Sequence, residues 1–536
     1  MNAVIPAPAS STAHPEHTLS ASGPWHIRAD PPLQAVADTL RELLTPHLGH
    51  RLAPADTLLS GPADGPVLRL THDDAPIAPR TTIGLAPTGS APPPDESYEL
   101  TVHDGGITCR ARTAVGAFRA ATTAAQLLLT TPRDGALPHR TARDAPRFAW
   151  RGLMLDPART FLTCHEVRRL IDVAALYKLN VVHLHLTDNE GWRLEIPSLP
   201  SLTAGPDAPS RDFYSVAEFK DLQEYARRRH VTLVPEIDLP GHCAALRRAL
   251  PELPDAPAPP HLAGRFPFVP PLDLTDPATH TAVSAVLADV CALTDGPYVH
   301  IGADEALGAT GESFAASVRA LRDLVRQFGK SPVAWQEASR AGVAAGDVLQ
   351  HWVDVEMMDL PDTAEELAER PELVAAGFGV ELIAAMKRFF APSDDDVARA
   401  LADGGHVLLS PQSHLYLDRA YEAGVTPDDC PPRMAGLGFP SYRPRGVRHA
   451  AEWEPLGHGV PEDRIAGVEA TLFAERLGGF DDVSALLLPR LPSVAEAAWC
   501  GRAPDWDEYR QRLAHHAHWW RERRLPHFPA TDVPWR

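Results

Sequence analysis

A (β/α)8 TIM-type barrel preceded by a small α+β accessory domain is the fold this sequence predicts, and three observations predict it. From Trp150 onward, short apolar runs alternate with helical patterns, the rhythm of a parallel sheet. Eight such runs can be counted, at residues 152–156, 181–186, 231–237, 298–302, 332–335, 347–352, 406–410 and 465–471, which is the strand number of a closed barrel. The polar residues of these strands collect at their C-terminal ends, the face on which such barrels carry their active sites. The rival architecture, a doubly wound open sheet, lacks its usual Gly-x-Gly-x-x-Gly after an early strand.

The elements follow in order. Residues 1–24 are rich in Ala, Pro, Ser and Thr and are expected to be a disordered leader. Residues 25–146 read as the α+β domain. They hold an amphipathic helix at 32–48, strands at 67–70, 82–85 and 98–102, an Asp104-Gly105-Gly106 turn into a strand at 107–111, and a helix at 114–129. The barrel occupies 147–536, with helices at 164–177 and 216–229 between its first three strands. Two connections break the rhythm: residues 353–405, helical in parts, and residues 419–463, rich in Pro and Gly. Loops of that length at barrel strand ends commonly shape a site.

Composition narrows the partners. A formal charge of −20 argues against nucleic acid. No apolar run reaches the roughly 20 residues of a membrane-spanning helix, and the N-terminus lacks the basic start and apolar core of a signal peptide. Six scattered cysteines without a Cys-x-x-Cys pair fit reduced thiols, so the expected location is cytoplasmic, with secretion left open.

The strongest chemical signal is Tyr298-Val299-His300-Ile301-Gly302-Ala303-Asp304-Glu305, where a buried strand breaks at two adjacent carboxylates. Two carboxyls in a partly dry site push their pKa values apart, and the one that stays protonated can act as an acid. Around them the barrel pattern gathers Asp156 and Arg159, His185 and Asp188, Glu236, Asp238 and His242, Trp335 and Glu337, Gln350 and Trp352, Tyr416 and Asp418, and Glu469 and Glu475. Carboxylates, an Arg and indole faces suit a neutral polyhydroxylated ligand. A metal-dependent hydrolase competes, because His183 and His185 are spaced to aim at one side of a strand, near His242, His300 and His351. The same pair also reads as a buried strand whose imidazoles bond to carboxylates.

These motifs resemble glycoside hydrolase family 20, the β-N-acetylhexosaminidases. The likeness runs through Arg147-Phe148-Ala149-Trp150-Arg151-Gly152, Asp156-Pro157-Ala158-Arg159, His183-Leu184-His185-Leu186-Thr187-Asp188, Gly191-Trp192-Arg193 and Pro235-Glu236-Ile237-Asp238-Leu239-Pro240-Gly241-His242. It continues through Gly302-Ala303-Asp304-Glu305, Tyr416-Leu417-Asp418 and Ala495-Glu496-Ala497-Ala498-Trp499. The resemblance implies an exo-acting, retaining hydrolase in which the substrate's own acetamido group is the nucleophile. Glu305 would be the acid and later the base, Asp304 would hold the acetamido N–H, and Tyr416 would donate to its oxygen. Arg159, Asp418 and Glu475 would bind outer hydroxyls, Trp335 and Trp352 would wall the acetamido pocket, and Asp188 and His242 would support the acid. The implied partner is a glycoside ending in GlcNAc or GalNAc, with no cofactor and no metal. A disaccharide-releasing or modified-sugar member of the family, or a silent carbohydrate-binding homologue, would share these motifs.

Three departures stand out. Phe473 occupies a place where the family usually has Trp, Ala303 replaces a usual Gly, and the 353–405 insert is unusually long.

Overall fold

The computed structural model describes residues 3–54, 65–77, 80–132, 134–204, 212–254, 269–354, 360–375 and 377–536. The accessory domain is a mixed six-stranded sheet in the order β1-β6-β4-β5-β3-β2. Its strands are β1 (Ser10–Ser20), β2 (His26–Ala29), β3 (Val67–His72), β4 (Tyr98–His103), β5 (Gly106–Ala111) and β6 (Ala136–Asp144). Helices α1 (Gln34–Leu48) and α2 (Ala114–Leu129) pack on it. The Thr113 hydroxyl caps α2 by accepting from Gly116 N.

From Ala3 onward the leader is ordered, which corrects the expectation from composition. Val4 and Ile5 are buried. Ile5 N donates to Gln126 Oε1 at 2.8 Å, and Ala7 N donates to Glu496 Oε2 at 2.9 Å. The β1 strand then pairs antiparallel with β6 as an edge strand. Most of its side chains face solvent, so it has no apolar alternation to announce it. Residues 82–85 depart in the other direction. They form only a single bridge, Ile83 to Phe148, with Gly84 at φ +92°.

The barrel closes in the order β10-β11-β12-β13-β14-β7-β8-β9. Its strands are β7 (Trp150–Leu155), β8 (Val181–His185), β9 (Thr232–Glu236), β10 (Tyr298–His300), β11 (Ser331–Trp335), β12 (Val348–His351), β13 (His406–Leu409) and β14 (Ile465–Ala470). All pairs are parallel, and the register Gly467↔Trp150 to Ala470↔Leu153 joins the last strand to the first. Both faces of these strands are covered, by helices outside and by the lumen inside, which is why their sequences run apolar without alternation.

Helices α3 (Cys164–Leu176) and α4 (Val216–Arg228) start at capping boxes, Thr163 with Glu166 and Ser215 with Glu218. Val167, Leu170, Ile171 and Ala174 of α3 recur at helical spacing and are buried. The β11–β12 connection carries only the 3-10 turn Gln336–Ala341 in place of an α-helix. The 353–405 insert is helical, as its sequence suggests, at Ala364–Ala368, Pro371–Ala375, Val380–Phe390 and Asp396–Ala402.

The two domains are joined by buried charge. Arg119 Nε of α2 and Arg151 Nη2 of β7 each donate to Glu96 Oε2 at 2.7 Å. The Trp499 indole donates to Asp144 Oδ2 at 3.0 Å.

The lumen is layered. At the floor, Trp150, Val181, Val234, Tyr298, Val333, Val348, Leu408 and Ala466, one from each strand, form an apolar plug. Above it sits a buried polar layer centred on Glu236 and Glu469. The candidate site opens above that.

Candidate active site

The carboxylate pair sits in a backbone that few residues adopt. Gly302, Ala303 and Glu305 have φ of +69°, +76° and +41°. Gly302 is required for space as well, because a Cβ there would lie 1.7 Å from Asp238 Oδ1. Ala303 therefore carries the strain that a Gly would avoid, on the order of 1–2 kcal/mol for an L-residue at positive φ. The turn places the two side chains differently. Asp304 is turned inward with its side chain 12% exposed, whereas Glu305 faces the opening at 36%.

His242, on the loop after β9, lies between them, with Nε2 3.6 Å from Glu305 Oε2 and 4.0 Å from Asp304 Oδ1. These are beyond hydrogen-bond length, and Nε2 has no hydrogen-bond partner among the described residues. Its other nitrogen, Nδ1, lies 3.2 Å from Asp188. Asp188 Oδ2 continues the chain to His185 Nε2 at 2.9 Å, and His185 Nδ1 meets Glu236 Oε2 at 2.6 Å. Arg159 Nη2 reaches Asp188 Oδ2 at 2.6 Å, its Nη1 reaches Asp156 Oδ2 at 3.2 Å, and Glu475 stands 3.9 Å away. Burial opposes charge on Asp188, yet His242, Arg159 and His185 outweigh it and hold its carboxyl well below the usual range. Burial likewise opposes charge on His242, but Asp188 and Asp238 raise its pKa well above that of free histidine.

Of the adjacent pair, Asp304 is the group pushed well up, by burial first and then by Asp238. The sequence argument required only that neighbours separate the two; depth in the pocket decides that Asp304 rises. Asp238 itself is raised to about 7 by burial.

An aromatic wall faces these acids. Trp352 and Tyr416 stack at 6.1 Å and 11°, Tyr416 meets Phe473 at 5.4 Å, and Phe473 meets Trp335 at 6.2 Å. Polar anchors fix both indoles: Trp335 Nε1 donates to Glu236 Oε1 at 2.8 Å and Trp352 Nε1 to Glu337 Oε2 at 3.0 Å. The Arg159 guanidinium lies 5.4 Å over the Phe473 ring, so this smaller ring still forms part of the wall.

Several buried oxygens have no hydrogen-bond partner among the described residues: Asp304 Oδ1, Glu337 Oε1 and both oxygens of Asp418. Burial, then Glu475, raises the Asp418 carboxyl well above its usual value. Unmatched acceptors at this density are uncommon inside proteins and mark where ligand hydroxyl or amide donors would fit.

All eleven residues singled out from the sequence, Arg159, Asp188, His242, Asp304, Glu305, Trp335, Trp352, Tyr416, Asp418, Phe473 and Glu475, thus lie at the C-terminal mouth of the barrel. The His183 and His185 pair turns into the lumen, where His183 Nδ1 lies 2.8 Å from Glu469 Oε1 and His183 Nε2 3.1 Å from Glu236 Oε2. Ligating atoms of His183, Glu236 and His300 lie within 4.8 Å of one another, but Glu236 is already engaged by His185 and the Trp335 indole, His183 Nδ1 by Glu469, and His300 Nδ1 accepts from Gly302 N.

Sequence reasoning missed Glu190, whose Oε2 lies 3.5 Å from Arg159 at the rim. Its place beside Gly191-Trp192-Arg193 was an available signal. It also missed Tyr442, 6.3 Å from Tyr416, and Phe390, 5.7 Å from Trp352. Both stand in the long connections, Phe390 at the end of the helix Val380–Phe390, and no strand register shows how these fold back onto the barrel.

Comparison with known proteins agrees with this fold. The model of the glycosyl hydrolase family 20 catalytic domain matches residues 148–502, and that of the same family's domain 2 matches residues 1–145. A β-N-acetylhexosaminidase of Cellulomonas fimi is 33% identical, over 97% of this chain and 94% of its own. Among solved structures, a mutant Streptomyces plicatus β-hexosaminidase in complex with its product GlcNAc superposes with a TM-score of 0.77 at 32% identity, covering 100% of this chain and 98% of that one. The family 20 β-N-acetylhexosaminidase of Streptomyces coelicolor A3(2) gives 0.77 at 31% identity, covering 100% and 99%.

Proposed function

This chain belongs to glycoside hydrolase family 20, and from that premise we propose that it is an exo-acting, retaining β-N-acetylhexosaminidase that removes terminal GlcNAc or GalNAc with help from the substrate's own acetamido group. The observation that carries the reading is the split of the carboxyl pair: Asp304 is buried with an unpartnered Oδ1, and Glu305 is partly exposed at the opening.

Oxygens of His242's two carboxyl neighbours come within 4.8 Å of the imidazole nitrogen and of each other. A glycosidase that supplies its own nucleophile, or a base for water, holds two carboxyls about 5–5.5 Å or 6.5–9.5 Å apart across the anomeric carbon. Two groups flanking a single imidazole edge do not straddle a sugar in that way, so the pair divides its labour. Asp304 accepts from the acetamido N–H as a carboxylate, orienting the carbonyl oxygen for attack at C1; the positive charge that develops on the oxazolinium ring favours that ionised form and offsets the upward push that burial and Asp238 give it in the free enzyme. Glu305 gives its proton to the departing glycosidic oxygen. A sugar seated in the pocket covers Glu305 and excludes water, the setting in which a glycosidase acid works. The same carboxylate then takes a proton from the water that opens the oxazolinium, and the anomeric configuration is retained through two inversions.

Tyr416 donates to the acetamido oxygen from the aromatic wall. Asp418, Arg159 and Glu475 bind hydroxyls of the terminal ring. Asp418, Tyr416, Trp335 and Trp352 are all buried, which supports a closed-ended pocket for one ring at a chain end and hence exo action.

The test is turnover of p-nitrophenyl β-GlcNAc and β-GalNAc with proton NMR of the first product. The β-anomer should appear first, and Glu305→Gln and Asp304→Asn should each lose at least about a hundredfold in kcat/KM. A thiazoline mimic of the oxazolinium should inhibit strongly. Near-wild-type turnover by either variant, or indifference to the mimic, contradicts the assignment.

A further inference from the structure

The insert after β12 reaches back into the aromatic wall. Helix Val380–Phe390 places Met386 and Phe390 four residues apart, on one face. Both belong to the apolar cluster that holds Trp335, Trp352, Val353 and Tyr416. Phe390 stands edge-on to Trp352, with centroids 5.7 Å apart and rings at 90°, on an indole that in turn stacks on Tyr416.

The insert is not a loose flap. Leu367, Leu373 and Ile383 give it a small core of its own. It is also tied to the turn that follows β11. Arg340 Nη2 donates to Asp396 Oδ2 at 2.7 Å, and Gln336 Nε2 donates to the Ser393 carbonyl at 3.2 Å. Gln336 Oε1 accepts from the backbone N of Trp352 and of Val353, at 2.8 and 3.0 Å. One glutamine thus links the insert to the strand end that presents Trp352.

We propose that the insert, through Phe390 and Met386, fixes the Trp352 and Tyr416 rings and thereby sets the depth of the pocket for the substrate's N-acyl group, making the enzyme selective for acetyl over longer acyl chains. The inference rests on the reading that these rings wall the acetamido group. Phe390 is a positioning residue here: it touches the wall, and the wall touches substrate. Shape selectivity of this kind is limited to what one methylene is worth in an apolar pocket, about 10- to 200-fold.

The experiment compares kcat/KM for p-nitrophenyl β-glucosaminides carrying N-acetyl, N-propionyl and N-butyryl groups, for the wild type, Phe390→Ala, Phe390→Leu and Met386→Ala. The wild type should prefer acetyl to propionyl by at least about tenfold, and Phe390→Ala should raise the propionyl-to-acetyl ratio about tenfold, chiefly through KM for the longer chain. Phe390→Leu and Met386→Ala should raise it less, and they carry the test if Phe390→Ala does not fold. A ratio unchanged within about twofold in every folded variant, with all substrates losing rate in parallel, would mean that Phe390 only supports the fold. If the wild type cleaves the N-acetyl substrate and the ratio does not move, this inference alone fails. If it cleaves none of the three, the assignment of function fails and takes the inference with it.

Discussion

Asp304 is held where it is by Gly302 behind it and Asp238 beneath it. Gly302→Ala would drive a Cβ onto the Asp238 carboxyl, and displacing the loop by about 1 Å should lower kcat/KM about a hundredfold; assays on folded protein check this. Asp238 raises the Asp304 carboxyl, after burial the largest cause. Removing that negative neighbour makes ionisation of Asp304 easier. Asp238→Asn should therefore move the acid limb of the kcat/KM profile to lower pH, whereas an unmoved limb would remove Asp304 as the group that titrates there. At this scale much was legible. Parallel strands of one barrel can only present their C-terminal ends on one side, so the eleven candidate residues lie at the mouth, while Glu236, Gln350 and Glu469, drawn from the same strand ends, turn into the buried layer below it. Glu190, Tyr442 and Phe390 were not legible, since their places depend on how two long connections fold over the barrel rather than on strand register.

Elements show the same division. The barrel strands could be read from sequence because burial on both faces leaves continuous apolar runs such as Val181–His185, and α3 and α4 because their caps and apolar stripes are local signals. The leader could not, because its order comes from distant polar partners. Arg512 Nη1 donates to the Val4 carbonyl at 2.9 Å, and His516 Nε2 lies 2.6 Å from the Ala3 carbonyl. Deleting residues 1–9 would remove these hydrogen bonds and those to Gln126, although Arg512 keeps Glu496, His516 keeps Tyr177 and Gln126 keeps Leu176, and should cost a few kcal/mol at about 1 kcal/mol per hydrogen bond; a fall in urea midpoint would record it, and an unchanged midpoint would contradict the packing. A contrasting control lies at the N-cap of α3. Thr163→Ala should lower stability by about 1 kcal/mol, because the cap is a local pair with Glu166, and an unchanged urea midpoint would contradict it.

Across the whole molecule, an apolar floor, a buried charge layer and a reactive mouth are stacked along one barrel axis, and the middle layer makes stability depend on pH. Burial disfavours charge on His183, but Glu236 and Glu469 raise its pKa from 6.5 to about 9. Its contribution is complete below 6.5 and is lost as pH rises through 9. Asp238, raised from 3.8 to about 7, acts in the same direction: its contribution is present below 3.8 and lost as pH rises through 7. The Tm of the ligand-free enzyme should therefore fall between about pH 7 and about pH 9, above the range in which the buried neutral histidines His47, His230, His351 and His516 act in the opposite direction, and His183→Gln should flatten that fall; a Tm that rises over this range would contradict the charge assignment. The central claim, that the substrate carries the nucleophile and Asp304 steers it, is tested most directly by fluorinating the N-acetyl methyl group of an aryl β-GlcNAc one atom at a time. Each fluorine weakens the carbonyl oxygen as a nucleophile while changing the size of the group little. Log(kcat/KM) should fall steeply and linearly with the number of fluorines, and a flat series would show that the nucleophile comes from elsewhere.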